Sequence, residues 1–378
     1  MSRPKNWTEA ASVSRGELLA WAEGQPWAHA MRACAQDAEW HAEGDVWTHT
    51  RMVWDEVERL DDFAAFTPAQ RRALDLTALW HDAGKPATTA PDPETGRLRS
   101  PKHALVGARL ARTVLRDWGC DLPTREGIVN LVRYHGRPPY LLEQAKPEAE
   151  VIRLSWLLDH RLLHAFALAD TRGRKTRDTA RAEELIHCWR DTAREQGCWG
   201  VPYPFSNEQA RFLYFRDPTR NLHWTPYEDH AGTVVLMSGI PAAGKDTWLR
   251  NHRPDLPVVS LDDVRADLDV DPEDDQGRVA QEARERCRQH LRAGESFAFN
   301  ATNLQKQTRS RWIDLFADYR FRVEIVYLEP LLETALRRNR RRERPVPERI
   351  IRRNLDRAEI PTPGEAHSVR WFGPETDS

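Results

Sequence analysis

Residues 239–247 read Gly-Ile-Pro-Ala-Ala-Gly-Lys-Asp-Thr. Gly239 and Gly244 permit the tight backbone of a loop whose amides cradle phosphate, and the N-terminus of a following helix faces the same anion. Lys245 can bridge the β- and γ-phosphates of a nucleotide. Asp246 stands where a serine or threonine is expected to ligate magnesium, and Thr247 follows one position later. Asp246, directly or through water, and Thr247 are the candidate ligands in that place. Far upstream, His49, the doublet His81-Asp82, His103, His135 and Asp170 are metal-ligand types. Imidazoles mixed with carboxylates suit manganese, iron, nickel, cobalt or zinc rather than magnesium alone. Divalent metals held there would activate water against a phosphoester. One constellation would put a phosphate on, and the other would take one off.

Further residues bear on the first chemistry. The run Ser260-Leu261-Asp262-Asp263-Val264-Arg265 follows an expected strand, and ligands of α/β sheets bind beyond the C-terminal ends of strands. Asp262 is the candidate general base there, and Arg265 the clamp for a phosphate on the acceptor. Helix capping by Asp262 and Asp263 is the competing reading. Arg338 and Arg342, four apart on one expected helix, share a face and can close over a nucleotide.

Two kinds of element must position these residues. Helical spacing of apolar residues predicts helices over 48–60, 68–80, 102–115, 125–134 and 151–168, with no convincing strand alternation before residue 196. Pro68 suits a first helical turn. Residues 1–195 therefore read as an all-α bundle. Residues 196–232 are broken by glycine and proline and rich in aromatics: Phe205, Phe212, Tyr214, Phe215, Trp224 and Tyr227. They read as a linker with a strand or flap over 210–216, the rings either stacking on bases or packing in a core. From 233 onward, strands at 233–238, 256–261, 297–300 and 321–328 alternate with helices at 245–251, 278–293, 305–319 and 331–344, and Pro347 opens one more. That rhythm predicts a parallel α/β sheet over 233–378.

The 378 residues, 40% hydrophobic, suffice for two domains with separate cores. No apolar run approaches the roughly 18 residues of a membrane span, and the polar start lacks a secretory core, so a cytoplasmic protein is expected. Five cysteines without a Cys-x-x-Cys pair argue against a disulfide framework. A net charge of −2 gives no global basic signature. Positive charge is local, at Arg337–Arg344, and the surplus of arginine over lysine suits bidentate phosphate recognition, though genomic composition produces the same bias.

The region 233–357 resembles the 5′-hydroxyl polynucleotide kinase module of nucleic-acid end-healing enzymes. The resemblance rests on the Gly-x-Pro-x-x-Gly-Lys loop, Asp262-Asp263-x-Arg265, Thr302-Asn303, and Arg338-Asn339-x-x-Arg342 followed by Val346-Pro347. It implies Asp262 as general base, Arg265 on the acceptor phosphate, and Arg338 and Arg342 on the donor phosphates. ATP or another NTP would be the donor, with Mg²⁺. Asp246 and Asn300 depart from the pattern, since an acidic residue is frequent at the end of the third strand. Upstream, His49, His81-Asp82 and Asp170 resemble the core ligands of the HD phosphohydrolase superfamily. His103 and His135 resemble the added ligands of its two-metal members, and Lys85 the lysine that holds substrate phosphate. One or two divalent transition metals are implied. Of the other histidines, His29, His41, His160 and His164 read as structural or surface residues, with His164 next in line as a ligand. Arg172, Arg174, Lys175 and Arg177 either line a phosphate groove or form a solvated loop.

Together the two halves resemble bacterial bifunctional end-healing enzymes. The resemblance implies phosphorylation of 5′-hydroxyl ends and removal of 2′-phosphate, 3′-phosphate or 2′,3′-cyclic phosphate ends of RNA or DNA, for a ligase to seal. A nucleotide or other small-molecule kinase fused to an HD nucleotidase or phosphodiesterase is the alternative. A regulatory ATP-binding module and a non-catalytic nucleic-acid binder are further readings.

Overall fold

The computed structural model describes residues 4–37, 39, 41–176, 179–271, 274 and 276–374. Contacts divide the chain into Met1–Pro204 and Phe205–Ser378.

The first unit is helical: α1 (Trp7–Ser12), α2 (Arg15–Glu23), α3 (Pro26–Arg32), α4 (Val46–Glu58), α5 (Pro68–Trp80), α6 (His103–Asp117), α7 (Leu122–Tyr134), α8 (Pro147–Ser155), α9 (His160–Arg172) and α10 (Thr179–Glu195). Asp45 caps α4 by accepting from Thr48 N, and Val46, His49, Thr50, Val53 and Val57 form its buried stripe. Thr67 and Gln70 make a capping box at α5, with Pro68 in the first turn. Helix α9 is buried on nearly every side from His160 to Thr171, which makes it the centre of the bundle. A minimal antiparallel pair, β1 (Ala90–Pro91) with β2 (Leu98–Arg99), sits between α5 and α6.

The single helix expected over 151–168 is two. Asp159 accepts from Arg161 N and starts a new helix, and the apolar run Trp156-Leu157-Leu158 hides the break. The short helices before residue 33, the hairpin at 90–99 and helix α10 lie outside the segments expected from the sequence.

In the second unit, α11 (Glu208–Arg216) is a helix, not the expected strand. Asn207 caps it by accepting from Ala210 N, and Ala210, Phe212 and Tyr214 are its buried residues. Phe212 joins the core cluster and stacks on His367 at 4.0 Å. Phe205 packs on Tyr214 and Phe215. Trp224 and Tyr227 are exposed. The elements that follow are β3 (Thr233–Gly239), α12 (Lys245–His252), β4 (Val258–Ser260), α13 (Leu261–Asp267), α14 (Gly277–Ala293), β5 (Phe297–Asn300), α15 (Lys306–Asp318), β6 (Arg322–Leu328), α16 (Leu332–Arg340), α17 (Glu348–Arg357) and β7 (Ser368–Phe372). The sheet runs β4-β5-β3-β6-β7 with every pairing parallel. Buried Val234, Leu236, Phe297, Phe299, Val323 and Ile325 from its three central strands share the core. Strand β3 lies between β5 and β6; the chain passes from it to β4 on one side and later crosses from β5 to β6 on the other, so the crevice at the C-terminal end of β3 is where ligands enter such sheets. No helix of the described residues is long and apolar enough to cross a membrane.

Helix α16 ends at Arg340, shorter than the expected 331–344. Asn339 donates to Val346 O at 2.8 Å and accepts from Val346 N at 3.0 Å. Pro345 and Pro347 cannot continue the ladder. Arg338 and Arg342 thus do not share one helix, since Arg342 lies in the turn beyond it.

Candidate functional sites

In the first unit, His49 (α4), His81 and Asp82 (end of α5), His103 (start of α6), His135 (end of α7) and Asp170 (α9) converge. Backbone contact fixes two of these elements. A Cβ on Gly84 would lie 2.1 Å from His103 O, and one on Gly107 would lie 2.7 Å from Trp80 O. Only glycine lets the end of α5 and the start of α6 meet this closely. At the other side, a Cβ on Gly173 would lie within 2.9 Å of Val53 backbone atoms, which seats the end of α9 on α4.

The imidazoles are aimed by a repeated device. His81 Nδ1 meets Ala78 O at 2.9 Å, His103 Nδ1 meets Ser100 O at 2.8 Å, and His135 Nδ1 meets Val132 O at 2.8 Å. Each partner is the carbonyl three residues back. This bonding places the proton on Nδ1 and turns Nε2 inward. His49 Nδ1 lies 3.1 Å from Glu43 Oε1 and 3.2 Å from Gly173 O.

The ligand atoms fall into two groups of three, each within 4.8 Å: His49, His81 and Asp170, and Asp82, His103 and His135. Asp82 reaches both. Its Oδ2 lies 3.3 Å from His81 Nε2 and 3.7 Å from His49 Nε2, and its Oδ1 lies 3.3 Å from His103 Nε2. The electrostatics favour a cation. Burial would raise Asp82, yet Lys85 and His81 hold its carboxyl well below the usual range. Asp170 is likewise lowered against its burial, by Arg174 and His49. Burial lowers His49, but Asp170 and Glu43 outweigh it and raise its pKa. Burial and His81 push His135 down to about 3, so it stands neutral as a ligand must. His81 Nε2 is buried and makes no hydrogen bond. The donor set fits one or two divalent transition metals.

Residues not anticipated also reach this centre. Glu43, its side chain wholly buried, joins His49 to His41 Nδ1 at 2.7 Å. His41, expected to be structural or surface, therefore borders the site. Lys85 is buried against Asp82 Oδ2 at 2.7 Å and Gln36 Oε1 at 2.6 Å. Arg174 meets Asp170 Oδ2 at 2.5 Å from a half-exposed position, whereas Arg172 pairs with Glu183. Lys175 offers its backbone N–H to Glu43 Oε2 at 3.1 Å, and Arg177 lies outside the described residues. His164 faces His187 at 3.1 Å, away from the cluster, and His160 bonds Trp189 Nε1 and Val151 O. Nothing in sequence spacing separates Glu43 from an ordinary surface acid. Only the fold brings residues 41–43 beside His49.

In the second unit, Gly239 and Gly244 take φ of 152° and 98° at the ends of the loop. Gly239 N donates to Thr302 O at 2.9 Å. Lys245 Nζ donates to Gly239 O at 3.0 Å and Ile240 O at 3.1 Å, and burial pushes its ammonium down to about 8. Ser260, not Asp262 or Asp263, caps α13, accepting from Asp263 N. That leaves Asp262 available in the first turn with its side chain 69% exposed. Arg265 holds Asp262 at 2.5 Å, and Arg342 stands 3.6 Å from its other oxygen. Arg338 donates to Ala243 O at 3.3 Å and its Nη1 would stand 3.2 Å from a Cβ on Gly244, so it lies over the loop. Asp262, Arg265, Lys245, Arg338 and Arg342 thus lie together at one mouth of the sheet.

The two departures from the usual pattern face each other. Asn300 Nδ2 donates to Asp246 Oδ1 at 2.5 Å. Thr247 Oγ1 instead accepts from Arg250 at 3.3 Å. Burial raises the Asp263 pKa, and Asp246 and Asp262 add to the rise. An acidic mouth beside a buried, unpartnered Asn300 Oδ1 fits the magnesium of a nucleotide.

Residues 46–155 match the family model described as HD domain, and residues 234–361 the one described as AAA domain. The chain therefore carries a helical HD domain followed by a kinase-like α/β P-loop domain. Among curated proteins, the CC-adding tRNA nucleotidyltransferase of Thermus thermophilus is 47% identical over 60 residues, 16% of this chain and 14% of that enzyme's length. Among solved structures, a candidate kinase from Chloroflexus aurantiacus is 18% identical, covering 39% of this chain and 88% of that one with a TM-score of 0.32. At that TM-score the likeness carries no functional argument.

Proposed function

We propose that this chain heals broken nucleic-acid ends. Its second domain phosphorylates 5′-hydroxyl ends with ATP. Its first removes 2′-phosphate, 3′-phosphate or 2′,3′-cyclic phosphate ends, so that a ligase can seal the products. The observation that carries the reading is the exposed Asp262 side chain, held between Arg265 and Arg342 at the mouth of the phosphate loop. A nucleotide-binding switch needs neither an exposed base there nor a cation beside it.

In the kinase site, Asp262 accepts the proton of the 5′-hydroxyl as its oxygen attacks the γ-phosphorus in line. Arg265 holds the acceptor's phosphate. Lys245, Arg338 and Arg342 neutralise charge on the transferred phosphoryl, and magnesium adds to that neutralisation when bound. In the HD site, His49, His81, Asp82, His103, His135 and Asp170 would hold one or two divalent metals, which when bound would supply an activated water and polarise the phosphoester. Asp82 and Asp170 orient the pocket, Glu43 fixes His49, and Lys85 and Arg174 supply cations for the substrate phosphate. The relative matched over 60 residues is named for work on tRNA, which makes RNA the first substrate to test.

The test uses the full chain, ATP, a metal series and an RNA strand with a 5′-hydroxyl and a 2′,3′-cyclic phosphate, both ends read by mass. Asp262→Ala should abolish 5′ phosphorylation while the 3′ activity survives, and Asp82→Ala the reverse. Transfer to free nucleosides in preference to oligonucleotides would favour the small-molecule kinase instead. A 5′ kinase activity retained by Asp262→Ala would overturn the base.

A further inference from the structure

P-loop enzymes commonly hold magnesium with a hydroxyl on the helix after the loop and a carboxylate at the end of a neighbouring strand. Here the helix position is Asp246 and the strand-end position is Asn300. The pair still offers one anionic and one neutral oxygen, on exchanged elements. We propose that Asp246 and Asn300 are a transposed magnesium site, the carboxylate supplied from α12 and the neutral oxygen from β5. The inference rests on the nucleotide-binding reading of this loop.

Three observations carry it. First, the side chains are in contact, Asn300 Nδ2 donating to Asp246 Oδ1 at 2.5 Å. That bond orients the carboxylate and leaves its Oδ2 to another partner. Second, Asn300 is only 7% exposed, and its Oδ1 is buried with no hydrogen-bond partner. An orphaned buried acceptor is costly, and a cation or its water relieves that cost. Third, Thr247, the nearest hydroxyl on the helix, is engaged by Arg250, so no hydroxyl takes the usual place. The exchange also explains why position 300 is not acidic. A second carboxylate at 2.5 Å from Asp246 would repel it, whereas an amide donates to it. First-turn placement at a helix N-terminus would by itself account for an acid at 246, but not for the buried amide oxygen beside it.

The test is binding, not turnover. Mn²⁺ serves as probe with the β,γ-imido analogue of ATP, and bound Mn²⁺ is read from its electron paramagnetic resonance signal. Asp246→Ser and the isosteric Asp246→Asn should each weaken Mn²⁺ binding in the nucleotide complex about 10-fold or more. Asn300→Asp alone should weaken it as well, through facing carboxylates. The double variant Asp246→Ser with Asn300→Asp, which restores the usual arrangement, should recover most of the loss. Wild-type Mn²⁺ affinity in Asp246→Asn would overturn the proposal, as would a double variant no better than Asp246→Ser, with the fold of each checked by circular dichroism. The two readings fail separately. Wild-type protein that binds Mn²⁺ with the analogue yet transfers no phosphate to a 5′-hydroxyl end refutes the kinase assignment and leaves the transposed site standing.

Discussion

Replacing Gly84 with alanine should disable the HD site through a shift of one helix. The new Cβ would lie 2.1 Å from His103 O and 2.7 Å from Gly107 N, all backbone of α6, where ordinary contact begins at 3.4 Å. Relief requires α6 to move by about 1.3 Å. His103 Nε2 now stands 3.3 Å from Asp82 Oδ1, and metal–ligand distances tolerate only about 0.2 Å. Displacement on this scale removes His103 from the ligand set, and misplacement of about 1 Å costs on the order of 100-fold in rate. Overpacking adds roughly 1–3 kcal/mol of destabilisation, a melting shift of roughly 2–12 °C for a unit of this size. The assay pairs phosphoesterase turnover on a 2′,3′-cyclic phosphate end with manganese content by mass spectrometry. Kinase activity of the same preparation shows that the second domain is intact. Gly127→Ala, where a Cβ meets nothing within 4 Å, is the control and should be neutral or slightly stabilising. Wild-type manganese content and turnover in Gly84→Ala would refute the idea that this backbone contact places His103.

Lys245 should make nucleotide binding pH-dependent. Burial lowers its pKa to about 8, and phosphates beside it raise the value again. The loop is thus cationic below about pH 8, and binding above that pH must take up a proton. Calorimetry at pH 8.5 in two buffers of different ionisation enthalpy should show the uptake, and Lys245→Met should abolish it. Chelation should lower the melting temperature of the first domain, since metal bound only by the folded state stabilises it, while the second domain's transition stays unmoved. Asn339→Ala removes both bonds to Val346. It should raise the KM for ATP several-fold through a loosened Arg338–Arg342 turn, with a stability loss of roughly 1–2 kcal/mol; an unchanged KM would show that the turn does not position the arginines.

Much of the α/β half was legible because its strands are short, apolar and punctuated by the loop and by proline. Strand β5 and helix α5 fall on the expected residues. Strand β7, half-buried along its length, lacks such a run and escaped notice. In the helical half, His49, His81, Asp82, His103, His135 and Asp170 stood out by residue type. Their convergence depends on backbone contacts at Gly84, Gly107 and Gly173 that no periodicity encodes. His41 reads as structural or surface in the sequence, and Glu43 does not stand out there at all. They precede α4 in a loop, and only its path beside His49 gives them a role. Arg338 lies over the phosphate loop and Arg342 beside Asp262, but α16 ends at Arg340, before the second of them.

Three of the four histidines take their orientation from a carbonyl in their own turn of chain. Their aim is therefore set by bonds local in sequence rather than by distant parts of the chain, and the rings need little reorganisation when a cation arrives. The loss of side-chain freedom that a metal site ordinarily incurs on binding is largely met in the folded protein before the metal enters. A centre prepared this way should load metal quickly and with a small entropic penalty. Its selectivity among metals would then be governed by how rigidly the helices dock rather than by the flexibility of the ligands.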